Sequence, residues 1–273
     1  MPPTTGDGAD KNGRNSDSGY RREEGRVCGQ IKVVTGWHAI GHPVSPCVRL
    51  RIFSRGLVCC QNDSPVPSSS ILASGRKFAA SMKALSEFRI VAKRLNGVLD
   101  LLDPGAAHQY KLLKDIAMKK LDYLRAIGTV DPSYWQGRVI LFNRQTPPHR
   151  DTLNPPAEWT PLQAAGSFTD GGSLYIHDLN LRLRYLPGDL IFLRGCLLKH
   201  SVEPWEGDQR ISAAYFSHES FWRYFGQRLS VTPTDLGPGI EAERSLEDSR
   251  DGSAPNKRKR TGLEGRLRSK RVR

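Results

Sequence analysis

GGSLYIHDLNLRLRYLPGDLIFLRGCLLKHSVEPWEGDQRISAAYF, residues 171–216, decides the fold class. Short apolar or alternating runs recur along it: GSLYIH, LRLRYL, LIFLRG, CLLKHSV and QRISAAYF. They are separated by DLN, PGD and PWEGD, combinations that favour turns because proline presets φ and glycine or asparagine tolerates φ > 0. Upstream, RVILFN (138–143) is apolar throughout, as a buried strand would be, and LQAAGSF (162–168) adds another. Seven short strands with hairpin punctuation predict an antiparallel sandwich or barrel.

Before this strand-rich half the period changes. From residue 75 to 102, Phe78, Met82, Leu85, Phe88, Val91, Leu95, Val98 and Leu102 recur at steps of three and four, which predicts an amphipathic helix. Asp103-Pro104-Gly105 ends it, since proline cannot continue the hydrogen-bond ladder. A second helix follows through Leu113, Ala117, Leu121 and Leu124. The expected layout is α+β: residues 1–25 disordered, 26–74 short strands (IKVV, VRLRIF) and a Ser/Pro-rich linker, and 75–230 a folded domain. In that domain, helices over 75–126 support a strand core over 138–218, and 231–273 form a disordered basic tail.

Composition narrows the function classes. No run of about 18 apolar residues occurs, so no membrane span is expected, and the polar N-terminus has no secretory h-region. Five cysteines, an odd number without a CxxC spacing, suit a reducing compartment. A zinc site from Cys28, His38, His42 and Cys47 would match no standard frame. The formal net charge is +13, and residues 255–273 hold nine Lys/Arg against one Glu. That balance favours polyanion partners, nucleic acid first. KRKR and SKRVR in the tail also resemble a two-part nuclear import signal, so the tail is expected to bind a polyanion or an import receptor, with a nuclear location.

HRDTLN (149–154) carries the chemistry. His149 and Asp151 stand at i and i+2, on one face of an extended chain. His200 lies in an apolar strand, where a polar group needs a reason. Together His149, Asp151 and His200 form the two-histidine, one-carboxylate set that holds Fe(II) and leaves coordination positions open, although Zn(II) accepts the same ligands. Arg210 and Ser212 share a strand face. A hairpin centred on EPWEGD would set Arg210 opposite His200, where guanidinium and hydroxyl suit the far carboxylate of a five-carbon keto-dicarboxylate. Asn143, Arg144 and Gln145 lie just upstream and are further candidates for the cosubstrate pocket. His108 and His177 are assigned to surface or structural roles, Trp135, Trp159, Trp205 and Trp222 to core or loop anchoring, and Gly171-Gly172 to a tight turn.

HxD, a later histidine and a downstream RxS, with GGxLxI and PGD turns, resemble the 2-oxoglutarate- and Fe(II)-dependent dioxygenases, whose fold is a double-stranded β-helix, or jelly roll. Within that superfamily HRDxxN, and RIS followed by an aromatic residue and a histidine, resemble the TET/J-binding-protein branch and its compact fungal-type members. The resemblance covers roughly residues 75–226. It implies an iron-dependent oxidoreductase using Fe(II), 2-oxoglutarate and O2, and DNA demethylation chemistry on 5-methylcytosine or thymine methyl groups. It also implies that Asn154 and His218 read the pyrimidine edge while Phe216 packs on its face, where the family carries a tyrosine. The cysteine-rich subdomain and long insert of the animal members are absent, which leaves the same chemistry on a protein side chain or small molecule, or an inactive nucleic-acid-binding module, as alternatives.

Overall fold

Two antiparallel sheets and a layer of helices form the described part of the computed structural model, residues 19–36 and 64–230. In chain order the elements are β1 (Gly29–Val34), α1 (Ser69–Leu72), α2 (Gly75–Glu87), α3 (Arg89–Leu102), α4 (Pro104–Lys120), α5 (Asp122–Gly128), β2 (Gly137–Phe142), β3 (Thr160–Gly171), β4 (Leu174–Ile176), β5 (Leu181–Leu183), β6 (Leu190–Leu193), β7 (His200–Val202), β8 (Trp205–Phe216) and α6 (Glu219–Tyr224). The larger sheet has the order β1-β2-β8-β3-β6 and the smaller β5-β4-β7. None of the described helices is long and apolar enough to cross a membrane. The tail from 231, VRLRIF, His38, His42 and Cys47 lie outside the described residues.

Strand alternation separates the two faces of the larger sheet. On β8, Arg210, Ser212, Ala214 and Phe216 point one way, and their partners on β2 include Leu141, Val139 and Gly137. Opposite Ala214 and Ser212 on β3 stand Leu162 and Ala164. These two join Leu174, Ile176 and Val202 of the smaller sheet, with Phe168, Leu193, Trp205 and Tyr185, in a core between the sheets. The odd-numbered face meets the helices. Tyr215 lies 6.4 Å from Trp135 in ring-centroid distance, and Val33 of β1 packs with Ile71, Leu85 and Ile127. Arg138, on that same face, is buried against Asp131 and stacks over Tyr215.

The helix expected over 75–102 is divided at Phe88, which ends α2 and begins α3. Its buried positions are Ser81, Leu85, Ala92, Leu95, Asn96 and Leu99, whereas Phe78 and Leu102 stand exposed. Leu85 and Leu95 are buried as the spacing predicts, Met82, Phe88, Val91 and Val98 are half-buried, and Ser81, Ala92, Asn96 and Leu99 beside them complete the buried stripe. Asn96 belongs to that stripe because it donates to the Pro132 carbonyl and accepts from Tyr134 N. Asp103 ends α3 and caps α4, its carboxylate accepting from Ala106 N at 2.9 Å with Pro104 in the first turn.

Two further expectations are corrected. Residues 19–25, read as part of a disordered leader, are described, and buried Tyr20 bridges to Arg144 and accepts its guanidinium hydrogen at 2.9 Å. A single aromatic ring in a polar stretch gave no periodic signal. The turn at Glu203-Pro204 joins strands of different sheets instead of closing a hairpin. β7 pairs with β4, and Arg210 stands opposite Gly166 of β3, not opposite His200.

Candidate metal centre

β2 delivers the chain to the site through a left-handed residue. Asn143 has φ 49°, a conformation asparagine adopts more readily than most residues. Its side-chain oxygen accepts from Arg210 N at 2.7 Å, and its own N–H donates to the Arg210 carbonyl at 2.8 Å. The segment then crosses toward the smaller sheet. His149 and His200 form an antiparallel bridge, each N–H donating to the other's carbonyl at 2.9 Å. Backbone pairing therefore sets the two imidazoles side by side, with ring centroids 4.3 Å apart.

The rings have matching orientations. His149 Nδ1 lies 2.8 Å from the Pro147 carbonyl, and His200 Nδ1 lies 2.8 Å from the Leu198 carbonyl. A carbonyl only accepts, so each Nδ1 carries a hydrogen, and Nε2 is the nitrogen left to ligate. Those Nε2 atoms face Asp151, at 3.7 Å from Oδ1 for His149 and 4.0 Å from Oδ2 for His200. One ligand atom from each of the three residues lies within 4.8 Å of the others. Two imidazoles and one carboxylate suit a divalent transition ion.

Neighbouring residues hold this geometry. Asp151 N donates to the Gly195 carbonyl at 2.8 Å. Arg150 pairs with Asp178 and donates to the Leu197 carbonyl, fastening the ligand loop to the segment before β7. Gly195 is required by contact: a Cβ there would lie 2.5 Å from Asp151 Oδ2 and 3.2 Å from Thr160 Oγ1. The Gly195→Ala variant is therefore expected to fold but to bind the metal about tenfold more weakly, by displacing the carboxylate. Metal titration followed by circular dichroism of the same sample checks both parts.

Arg210 occupies the core between the sheets, 1% exposed. Its guanidinium carbon lies 5.3 to 5.4 Å from the ring centroids of Phe168, Tyr185 and Trp205. Nη1 donates to Ser212 Oγ at 3.3 Å, while buried Nε and Nη2 have no hydrogen-bond partner. No carboxylate among the described residues forms an ion pair with it, and burial lowers its pKa from the usual arginine value. A Cβ at Gly172 (φ +64) would come within 3.1 Å of Arg210 Nε. Gly172 is thus part of the wall around the guanidinium as well as of a turn.

The residues that the resemblance links to a substrate occupy two neighbouring segments. Asn154 is buried in the loop after Asp151, its N–H donating to the Asp151 carbonyl at 3.0 Å. Phe216 and His218 stand at the end of β8 and stack on each other, with centroids 4.9 Å apart and planes at 26°. The Phe216 ring also lies across Gly137, where a Cβ would meet it at 2.3 Å. His218 occupies the N-cap position of α6 without a side-chain capping bond. Arg144 is buried against Tyr20, and His177 Nε2 lies 2.9 Å from Ser201 Oγ.

Sequence reasoning missed Gly195, Phe168 and Tyr185 and read Trp205 only as an anchor. None sits at a diagnostic spacing.

Among solved structures, NgTET1 in complex with 5mC DNA is similar to this chain, with 19% identity and a TM-score of 0.38, over 67% of this chain and 62% of its own. A 2OG-Fe(II) oxygenase family oxidoreductase from Burkholderia pseudomallei is similar over 35% of this chain and 48% of its own, with 18% identity and a TM-score of 0.27. The chain thus spans less than two thirds of the length of either protein. No protein-family model matches it, and no curated protein does.

Proposed function

We propose that this protein is an Fe(II)- and 2-oxoglutarate-dependent dioxygenase with a double-stranded β-helix core. Its proposed substrate is a pyrimidine methyl group, 5-methylcytosine or thymine, in nucleic acid. The observation that carries the proposal is Arg210: a buried guanidinium with two hydrogen-bonding nitrogens unpartnered, in a chain that also presents a His-Asp-His cluster. A buried cation without a counter-charge is costly, and a dicarboxylate supplies one. A zinc hydrolase would use the three ligands but has no need of Arg210.

His149, Asp151 and His200 would hold the iron, with their Nδ1 hydrogens fixed by backbone carbonyls. Arg210 and Ser212 would receive the far carboxylate of 2-oxoglutarate, with Phe168, Tyr185 and Trp205 keeping water from it. The chemistry supplied when iron, 2-oxoglutarate and O2 are bound is oxidative decarboxylation to succinate and CO2, coupled to hydroxylation of a substrate C–H bond. Asn154 and His218 would orient the base by its polar edge, and Phe216 would pack against it. The net charge of +13 suits attraction to a polyanion, and the proposed nuclear location rests on KRKR and SKRVR.

Incubation of the purified protein with Fe(II), 2-oxoglutarate and methylated DNA, followed by mass spectrometry of the nucleosides, is expected to show oxidised methyl groups and stoichiometric succinate. Succinate without an oxidised base would move the substrate to a protein side chain or small molecule. Neither product would end the enzymatic reading.

A further inference from the structure

One buried carboxyl group takes no part in the metal cluster. Glu158 is 1% exposed and lies in the loop that runs from Asp151 to β3. Its Oε1 accepts from Ser217 N at 2.6 Å, and its own N–H donates to the Pro155 carbonyl at 2.9 Å. Ser217 is the residue between Phe216 and His218. A second bond joins the same two segments, Glu219 N donating to the Leu153 carbonyl at 2.8 Å. The segment holding Asn154 and the segment holding Phe216 and His218 are thus tied by one backbone bond and one side-chain bond. Only the second depends on residue identity.

We propose that Glu158 is a positioning residue for the nucleic-acid substrate, setting the separation of Asn154 from the Phe216–His218 pair by holding the Ser217 N–H. This rests on the substrate reading above. The Tyr110 hydroxyl interacts with the same carboxyl group, and Ser217 Oγ is buried without a hydrogen-bond partner. Burial raises the Glu158 pKa above the usual carboxylic-acid value, and the bond from Ser217 N acts against that shift. The oxygen of a glutamine amide at this position can accept the same bond from Ser217 N.

That equivalence makes the test selective. Glu158→Gln keeps the acceptor, and Glu158→Met fills similar volume without one. With the full chain, Fe(II), 2-oxoglutarate and a methylated oligonucleotide, the glutamine variant is expected to stay within about threefold of the wild type. The methionine variant is expected to raise the oligonucleotide KM about tenfold or more. Succinate formation without oligonucleotide should change less than about twofold in both. Equal impairment of the two variants overturns the proposal, as does an unchanged KM for methionine or a parallel loss of oligonucleotide-free turnover. If methionine prevents folding, the glutamine variant decides by its KM: a tenfold rise overturns the proposal and a value near wild type upholds it. A wild-type protein that forms succinate but oxidises no base defeats the substrate reading itself, and the proposal with it. An unaffected methionine variant beside an active wild type defeats the proposal alone.

Discussion

Replacement of Arg210 by methionine is expected to abolish 2-oxoglutarate-dependent turnover without destabilising the protein. The guanidinium is 1% exposed, with Nε and Nη2 lacking partners inside a wall of three aromatic rings. Contact with the rings offsets part of the desolvation of the charge, but a well-packed apolar side chain in place of a buried charge is often neutral or stabilising. In the proposed role of Arg210, the cosubstrate would lose a charge-assisted, two-nitrogen contact worth about 3 kcal/mol, or roughly a hundredfold in affinity. Thermal melts with and without 2-oxoglutarate separate the effects. Ligand should raise the wild-type Tm and leave that of the variant unchanged, while the ligand-free variant melts no lower than wild type. Equal protection of both proteins would remove Arg210 from the cosubstrate site. Arg210→Lys should rescue little, because a lysine amine cannot reproduce the planar fork.

His200→Ala is expected to have the second large effect, on metal affinity. The bridge to His149 is formed by backbone atoms and survives loss of the imidazole, so the remaining ligands keep their backbone setting. With one of three protein ligands removed, Fe(II) should bind roughly a hundredfold more weakly or worse, and turnover should fall to background. Titration with Fe(II) under anaerobic conditions measures the first effect directly. Fe(II) binding by the variant within about threefold of wild type would show that His149, Asp151 and His200 do not share an ion.

Legibility in the sequence followed the range of the physics involved. His149 and Asp151 were visible together because alternate residues of an extended chain share a face, and Arg210 and Ser212 were paired for the same reason. Asp103-Pro104 showed where a helix stops because capping and the missing proline N–H act within one turn. Of the α2–α3 stripe, Leu85 and Leu95 were legible, whereas Ser81 and Ala92 take buried positions that hydrophobicity does not mark. Glu158 gave no sign at all: its partner is the backbone of Ser217, 59 residues away.

What the sequence alone determined, then, is the mixture of helices with antiparallel strands, and the local spacings of the histidine, aspartate, arginine and serine residues of the candidate site. Those follow from covalent geometry and short-range sterics. Tertiary structure decided that His200 meets His149 through a backbone bridge while Arg210 stands in the other sheet, opposite Gly166. It also decided that rings from β3, β8 and the chain between β5 and β6 surround the guanidinium. Such juxtapositions depend on which strand enters which sheet. That choice is made by burying the whole apolar face at once, and no single stretch of chain records it.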